Sequence, residues 1–184
     1  SNRFKKYCDD TLLLYQKIEE VTGKQNLIES SKTPHRILVL RKILTNLTII
    51  HLVRSFSGVL NSNRKSYSRN LEKGIESDIK PRKIWKVYLT WLFMNLSTVL
   101  FSLGNKKINI SYRNFIKKPE ILLDKTGLKT EKKNILTPGH LLAGNRLRLA
   151  RQIEIQTKPE ALNNLSPLQM RFANLIDQLF FFWQ

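Results

Sequence analysis

The chain has a single cysteine, Cys8, which excludes a disulfide scaffold and any cysteine-rich zinc module. Its three histidines, His35, His51 and His140, lie far apart and share no metal-ligand spacing with one another or with Cys8. Gly-rich phosphate loops, a GxSxG elbow and HExxH are all missing. Adjacent carboxylates occur at Asp9-Asp10 and Glu19-Glu20, but neighbouring residues on a helix point in different directions, so neither pair reads as an acid/base dyad. These gaps predict a non-enzymatic protein without metal or cofactor. There is no internal repeat, and alternating strand patterns are scarce. Lys107–Tyr112 is the only segment that reads as a strand.

Acids are scarce beside bases. Only 14 Asp and Glu stand against 32 Lys and Arg, a formal net charge of +18 over 184 residues. They are also unevenly placed. Residues 30–71, 79–119 and 132–153 contain no Asp or Glu at all, although each stretch holds several cations. Solvated helix faces usually mix signs, because Glu–Lys pairs one turn apart are mildly stabilising. Cations without acidic neighbours suit a polyanion, and phosphates supply the missing charge while releasing counterions. The residues assigned to nucleic-acid contact are Arg64, Lys65, Tyr67, Arg69, Lys80, Arg82, Lys83, Lys106, Lys107, Arg113, Lys117, Lys118, Arg146, Arg148 and Arg151. Tyr67, Tyr112 and Phe115 lie among these charges and can stack on unpaired bases, which favours RNA over DNA.

What the chain does have is apolar residues at helical spacing. Hydrophobic residues make up 41% of it, enough for a core and too many for wholesale disorder. Asp9 to Val21 reads as a first helix, stopped at Gly23. Thr33-Pro34 opens a second, whose apolar stripe Ile37, Leu40, Leu44, Leu47, Ile50, Val53 and Phe56 predicts one helix over 34–57. Residues 61–83 are polar and basic and read as a loop or mobile linker. A third helix spans about Ile84 to Leu103 and closes on Gly104-Asn105. Within it, Val87 to Gly104 carries no charge, nearly the length needed to cross a membrane, with basic residues and Trp85 at its flanks. Residues 106–136 read as an irregular basic segment. Thr137-Pro138 opens a helix through Arg151. Ser166-Pro167-Leu168-Gln169 has the form of a capping box.

Sequons stand at Asn46, Asn95, Asn109 and Asn164, the first two inside apolar helical patterns where a glycan has no room. With the unpaired cysteine, they point to an intracellular, reducing compartment, nuclear or nucleolar ahead of mitochondrial. The chain stops within the apolar run Phe180–Trp183, which is expected of a fragment of a longer protein.

The segment Leu136-Thr137-Pro138-Gly139-His140-Leu141-Leu142-Ala143-Gly144-Asn145-Arg146-Leu147 resembles a motif just beyond the integrase core of BEL/Pao-type retrotransposon polyproteins. In that family the motif is followed, after a variable spacer, by a helix ending in Phe-Trp. Here Leu165–Gln169 and Phe182-Trp183 occupy comparable places. The likeness covers residues 136–183, about a quarter of the chain. It implies a DNA-associated tail without an active site of its own. Upstream, the three catalytic carboxylates of an integrase core are not found, so no catalytic residue carries over.

The expected fold is therefore mainly α: one domain over 1–184, an irregular helical bundle with long basic loops. The expected function is nucleic-acid binding, RNA first, as a subunit of a ribonucleoprotein or nucleic-acid-processing assembly with protein partners. Two rivals are a membrane protein with a helix at 87–104 and basic flanks on anionic lipid, and a helical protein–protein scaffold.

Overall fold

The structure, a computed structural model, describes residues 2–24, 26–71, 75, 77–128, 135–136, 153–154 and 162–180. In chain order the elements are α1 (Asn2–Thr22), α2 (Arg36–Ile43), β1 (Thr48–Val53), α3 (Phe56–Asn63), α4 (Ile84–Phe101), β2 (Lys106–Ser111), α5 (Tyr112–Lys117), α6 (Ile121–Thr126), β3 (Ile135–Leu136), β4 (Ile153–Glu154) and α7 (Pro167–Leu179). The helical content is high, but the fold is mixed α/β and not the helical bundle the periodicity predicts. β1 and β2 pair as a two-stranded parallel sheet. Parallel neighbours need a crossover, and α3 and α4 supply it. A second, antiparallel pair joins Ile135 to Glu154 and Leu136 to Ile153.

The expected helix over 34–57 is three elements. Its middle, Thr48-Ile49-Ile50-His51-Leu52-Val53, is dominated by β-branched residues, which lose rotamer freedom in a helix and pack well on a pleated surface. As a strand it buries Ile49, His51 and Val53 and exposes Thr48, Ile50 and Leu52. Asn46, expected inside that helix, lies instead on an exposed bend between α2 and β1. The strand expected at Lys107–Tyr112 is present as β2, shifted by one residue.

Other local signals hold. Ser166 accepts from the Gln169 N–H while Gln169 accepts from the Ser166 N–H, with Pro167 in the first turn, a complete capping box. Gly104, at φ 79°, takes the left-handed conformation that ends the α4 segment without a Cβ clash. α1 extends back to Asn2, so Asp9-Asp10 lie inside it and not at its start.

By internal contacts the chain forms two compact units, Ser1–His51 with Leu92–Ile108, and Leu52–Trp91 with Asn109–Gln184. In the first, Arg36 joins α1 to α2. Its Nε and Nη2 donate to the two Glu29 oxygens, at 2.9 and 3.1 Å, and Nη1 donates to the Tyr7 hydroxyl and Thr11 Oγ1. Tyr15 donates to the same carboxylate. The guanidinium also stacks over Tyr7, 5.4 Å from the ring centre. Its hydrogen bond to Glu29 holds the Arg36 pKa above the usual guanidinium value, against the opposing pull of burial.

The second unit is built on Phe56. This ring is fully buried and meets Trp91 at 5.6 Å, Tyr88 at 5.7 Å and Phe172 at 6.1 Å between centroids. Leu60, Val53, Ile110, Ala173 and Ile176 are buried in the same core. α3 is only eight residues long, too short to hold itself in water, so its ends matter. Ser55 caps it by accepting from the Gly58 N–H. From α7, the Asp177 carboxylate accepts from the Phe56 N–H at 2.6 Å and the Ser57 N–H at 3.2 Å. These are otherwise unsatisfied first-turn donors, and a carboxylate there also meets the positive end of the helix dipole. At the other end of this contact, buried Asn61 accepts from both the main-chain and side-chain N–H groups of Asn164, holding the approach to α7.

Asp177→Ala is expected to lower stability by about 1–3 kcal/mol, because it removes two charge-assisted bonds and both amides sit at a partly buried helix start. Urea unfolding followed by circular dichroism reads the shift. A change below about 0.5 kcal/mol would mean that Asp177 leaves α3 energetically untouched.

Candidate nucleic-acid interface

The basic stretch 61–83 begins inside α3 and continues as an antiparallel excursion. Arg64 ends the helix. Tyr67 and Ile79 exchange both main-chain bonds, at 3.0 and 2.8 Å, and so do Asn70 and Ile75, at 2.9 and 2.8 Å. The Arg82 N–H then donates to Asn63 O at 3.0 Å. Ile75 is buried and anchors the far end. Residues well separated in sequence are thereby drawn onto two facing runs: Arg64, Lys65, Tyr67 and Arg69 on one, Lys80, Arg82 and Lys83 on the other.

Within this hairpin the side chains divide by role. Arg69, Lys80, Arg82 and Lys83 are exposed. Lys65 and Tyr67 are half-buried. Arg64 is also half-buried and turns inward, its Nη1 donating to Arg82 O at 3.4 Å, while its buried Nε finds no acceptor among the described residues. Arg64 thus ties the returning run to the end of α3. Asp78 accepts from the Arg69 main-chain N–H at 2.7 Å, so the backbone holds the carboxylate.

The segment expected to be irregular from 106 to 136 opens with the strand β2 and continues into the short helices α5 and α6. Lys106 is exposed and Lys107 half-buried on β2. Arg113 and Lys117 lie one turn apart on α5, both exposed. Exposed Lys118 faces Asp124 at 3.7 Å, a pairing too solvated to remove its charge. Arg146, Arg148 and Arg151, with the helix expected from Thr137 and most of the retrotransposon-like motif, lie outside the described residues.

Arg54 is a residue that sequence reasoning misses. Its guanidinium lies 5.3 Å from the centre of the Tyr112 ring, and its carbonyl accepts from Trp91 Nε1 at 3.0 Å. The two stacked residues are far apart along the chain, so no local signal could pair them. Among the described residues, no group of three or more His, Cys, Asp or Glu side chains is arranged to hold a metal ion.

Comparisons with protein-family models, with curated proteins and with solved structures find no match for this chain.

Proposed function

We propose that the protein binds nucleic acid without catalysing a reaction, RNA in preference to DNA, as a subunit of a ribonucleoprotein or nucleic-acid-processing assembly in the nucleus or nucleolus. The observation that carries this reading is the hairpin. Four exposed cations, Arg69, Lys80, Arg82 and Lys83, stand on two hydrogen-bonded runs whose one described acid, Asp78, is engaged by a backbone amide. Such a ribbon offers a row of charges to a phosphate backbone at no sequence preference, while Tyr67 within it and the Arg54–Tyr112 stack add planar surfaces for unpaired bases. The resemblance of residues 136–183 to a DNA-associated retrotransposon segment keeps DNA as the alternative polymer.

A filter-binding titration of the full chain against single-stranded RNA and duplex DNA tests this. Binding is expected at about 50 mM salt, with affinity falling linearly in log–log form as salt rises. Negligible binding at that salt, or a flat salt dependence, would sink the reading.

A further inference from the structure

α4 buries Val87 and Trp91 in its first half and turns polar side chains inward in its second. Asn95, Ser97 and Ser102 at and just beyond its C-terminal half are buried, and Asn95 Oδ1 accepts from buried His51 Nε2 at 3.1 Å. Thr98 and Ser102 return their hydroxyls to the main-chain carbonyls of Met94 and Val99. Outward, the same helix presents Trp85, Leu89, Phe93, Leu96 and Leu100, each 43–66% exposed, at steps of four, four, three and four. That spacing places all five on one stripe. The helix is long and apolar enough to cross a membrane, yet only 22% of it is buried. An apolar stripe of this length on a water-facing surface needs a cover.

We propose that this stripe docks on an anionic lipid bilayer, with α4 lying along the surface and not through it. Three observations select lipid over another helix or a second copy of the chain. Residues 87–104 carry no charge, so the positions beside the stripe lack the ion pairs by which paired helices choose a partner. Cations stand beyond both ends, Lys83 and Lys86 before and Lys106 and Lys107 after, and residues 79–119 hold no acid. Antiparallel pairing of two copies would bring these like charges together, whereas phosphate headgroups neutralise them. Exposed Trp85 sits at the helix start, where an indole suits the boundary between headgroup and hydrocarbon. The inner face decides against spanning. Asn95 is bonded to β1, and the Arg41 guanidinium donates to Phe101 O at 3.4 Å, so inserting α4 would drag a strand and a charged group into hydrocarbon. Lying flat, the helix keeps those contacts and buries only the stripe.

The full chain is tested by flotation with phosphatidylcholine vesicles, with and without phosphatidylserine, followed by a carbonate wash. Co-flotation with the anionic vesicles, release by carbonate, and a loss of about tenfold or more in vesicle affinity for Phe93→Gln with Leu96→Gln are expected. Both positions are exposed, so the variant's thermal melt and its RNA affinity should match the parent's, which keeps this proposal separable from the nucleic-acid reading. Equal flotation of parent and variant, or none by either, would overturn it. Retention after carbonate would mean that the helix crosses the bilayer, and a dimer that disappears in the variant would assign the stripe to a second copy; either outcome also overturns it.

Discussion

Phe56→Ala is expected to cost about 3–5 kcal/mol of stability, the range for deleting a large aromatic side chain from a closed core. The ring is fully buried and is the common neighbour of Tyr88, Trp91 and Phe172, three residues from two helices and all within about 6 Å between centroids. Removing it leaves a cavity that its neighbours cannot fill without leaving their own positions. It also forfeits the edge-to-face contacts, each contributing about 0.5–1.5 kcal/mol beyond buried area. Phe56 further opens the short α3, so loss of the ring loosens the helix start that Asp177 holds. A small domain has only about 5–15 kcal/mol in total, so this variant should unfold at much lower urea with an unchanged slope. Phe56→Leu keeps most of the volume and should lose less. A shift below about 1 kcal/mol for the alanine variant would contradict the placement of this ring at the centre of the unit.

Neutralising the hairpin is the second large effect. With Arg69, Lys80, Arg82 and Lys83 all changed to Gln, the salt dependence of RNA binding should become shallower by about 2–3 in the log–log slope, at about 0.7 for each single-strand phosphate no longer neutralised. The control changes Arg3, Lys5, Lys6 and Lys17 on α1 to Gln, removing the same number of exposed charges. If net charge alone draws the nucleic acid, both variants lose affinity alike and the hairpin has no special part. If the hairpin is the contact surface, the α1 variant keeps nearly the parent slope. All four hairpin positions are exposed, so the melting temperature should move little.

Residues 34–57 carry two opposing local signals. Ile37, Leu40, Leu44, Leu47, Ile50, Val53 and Phe56 recur at threes and fours, which favours a helix. The same run contains Thr48-Ile49-Ile50 and Val53, whose branched Cβ atoms favour a strand. Both signals are local and they conflict. Pairing with β2, more than fifty residues later, resolves the conflict, because only the pairing satisfies the strand's main-chain groups. The candidate site divides the same way. Its cations were legible as acid-free runs, but the partnership of Tyr67 with Ile79, the inward turn of Arg64 and the Arg54–Tyr112 stack join residues that no local pattern connects.

What the sequence determined by itself are features whose physics acts within about one helical turn. The Ser166–Gln169 capping box, the left-handed stop at Gly104 and the uncharged run of α4 follow from side chains and torsions a few residues apart. The sign of the charge and its uneven placement belong there too, since no folding alters them. Only the tertiary structure decided which side of α4 faces inward. Its composition is apolar nearly all round, so hydrophobicity could not choose a face. The hydrogen bond between His51 and Asn95 could, because a buried polar group must find a partner, and that partner lies on a strand more than forty residues away.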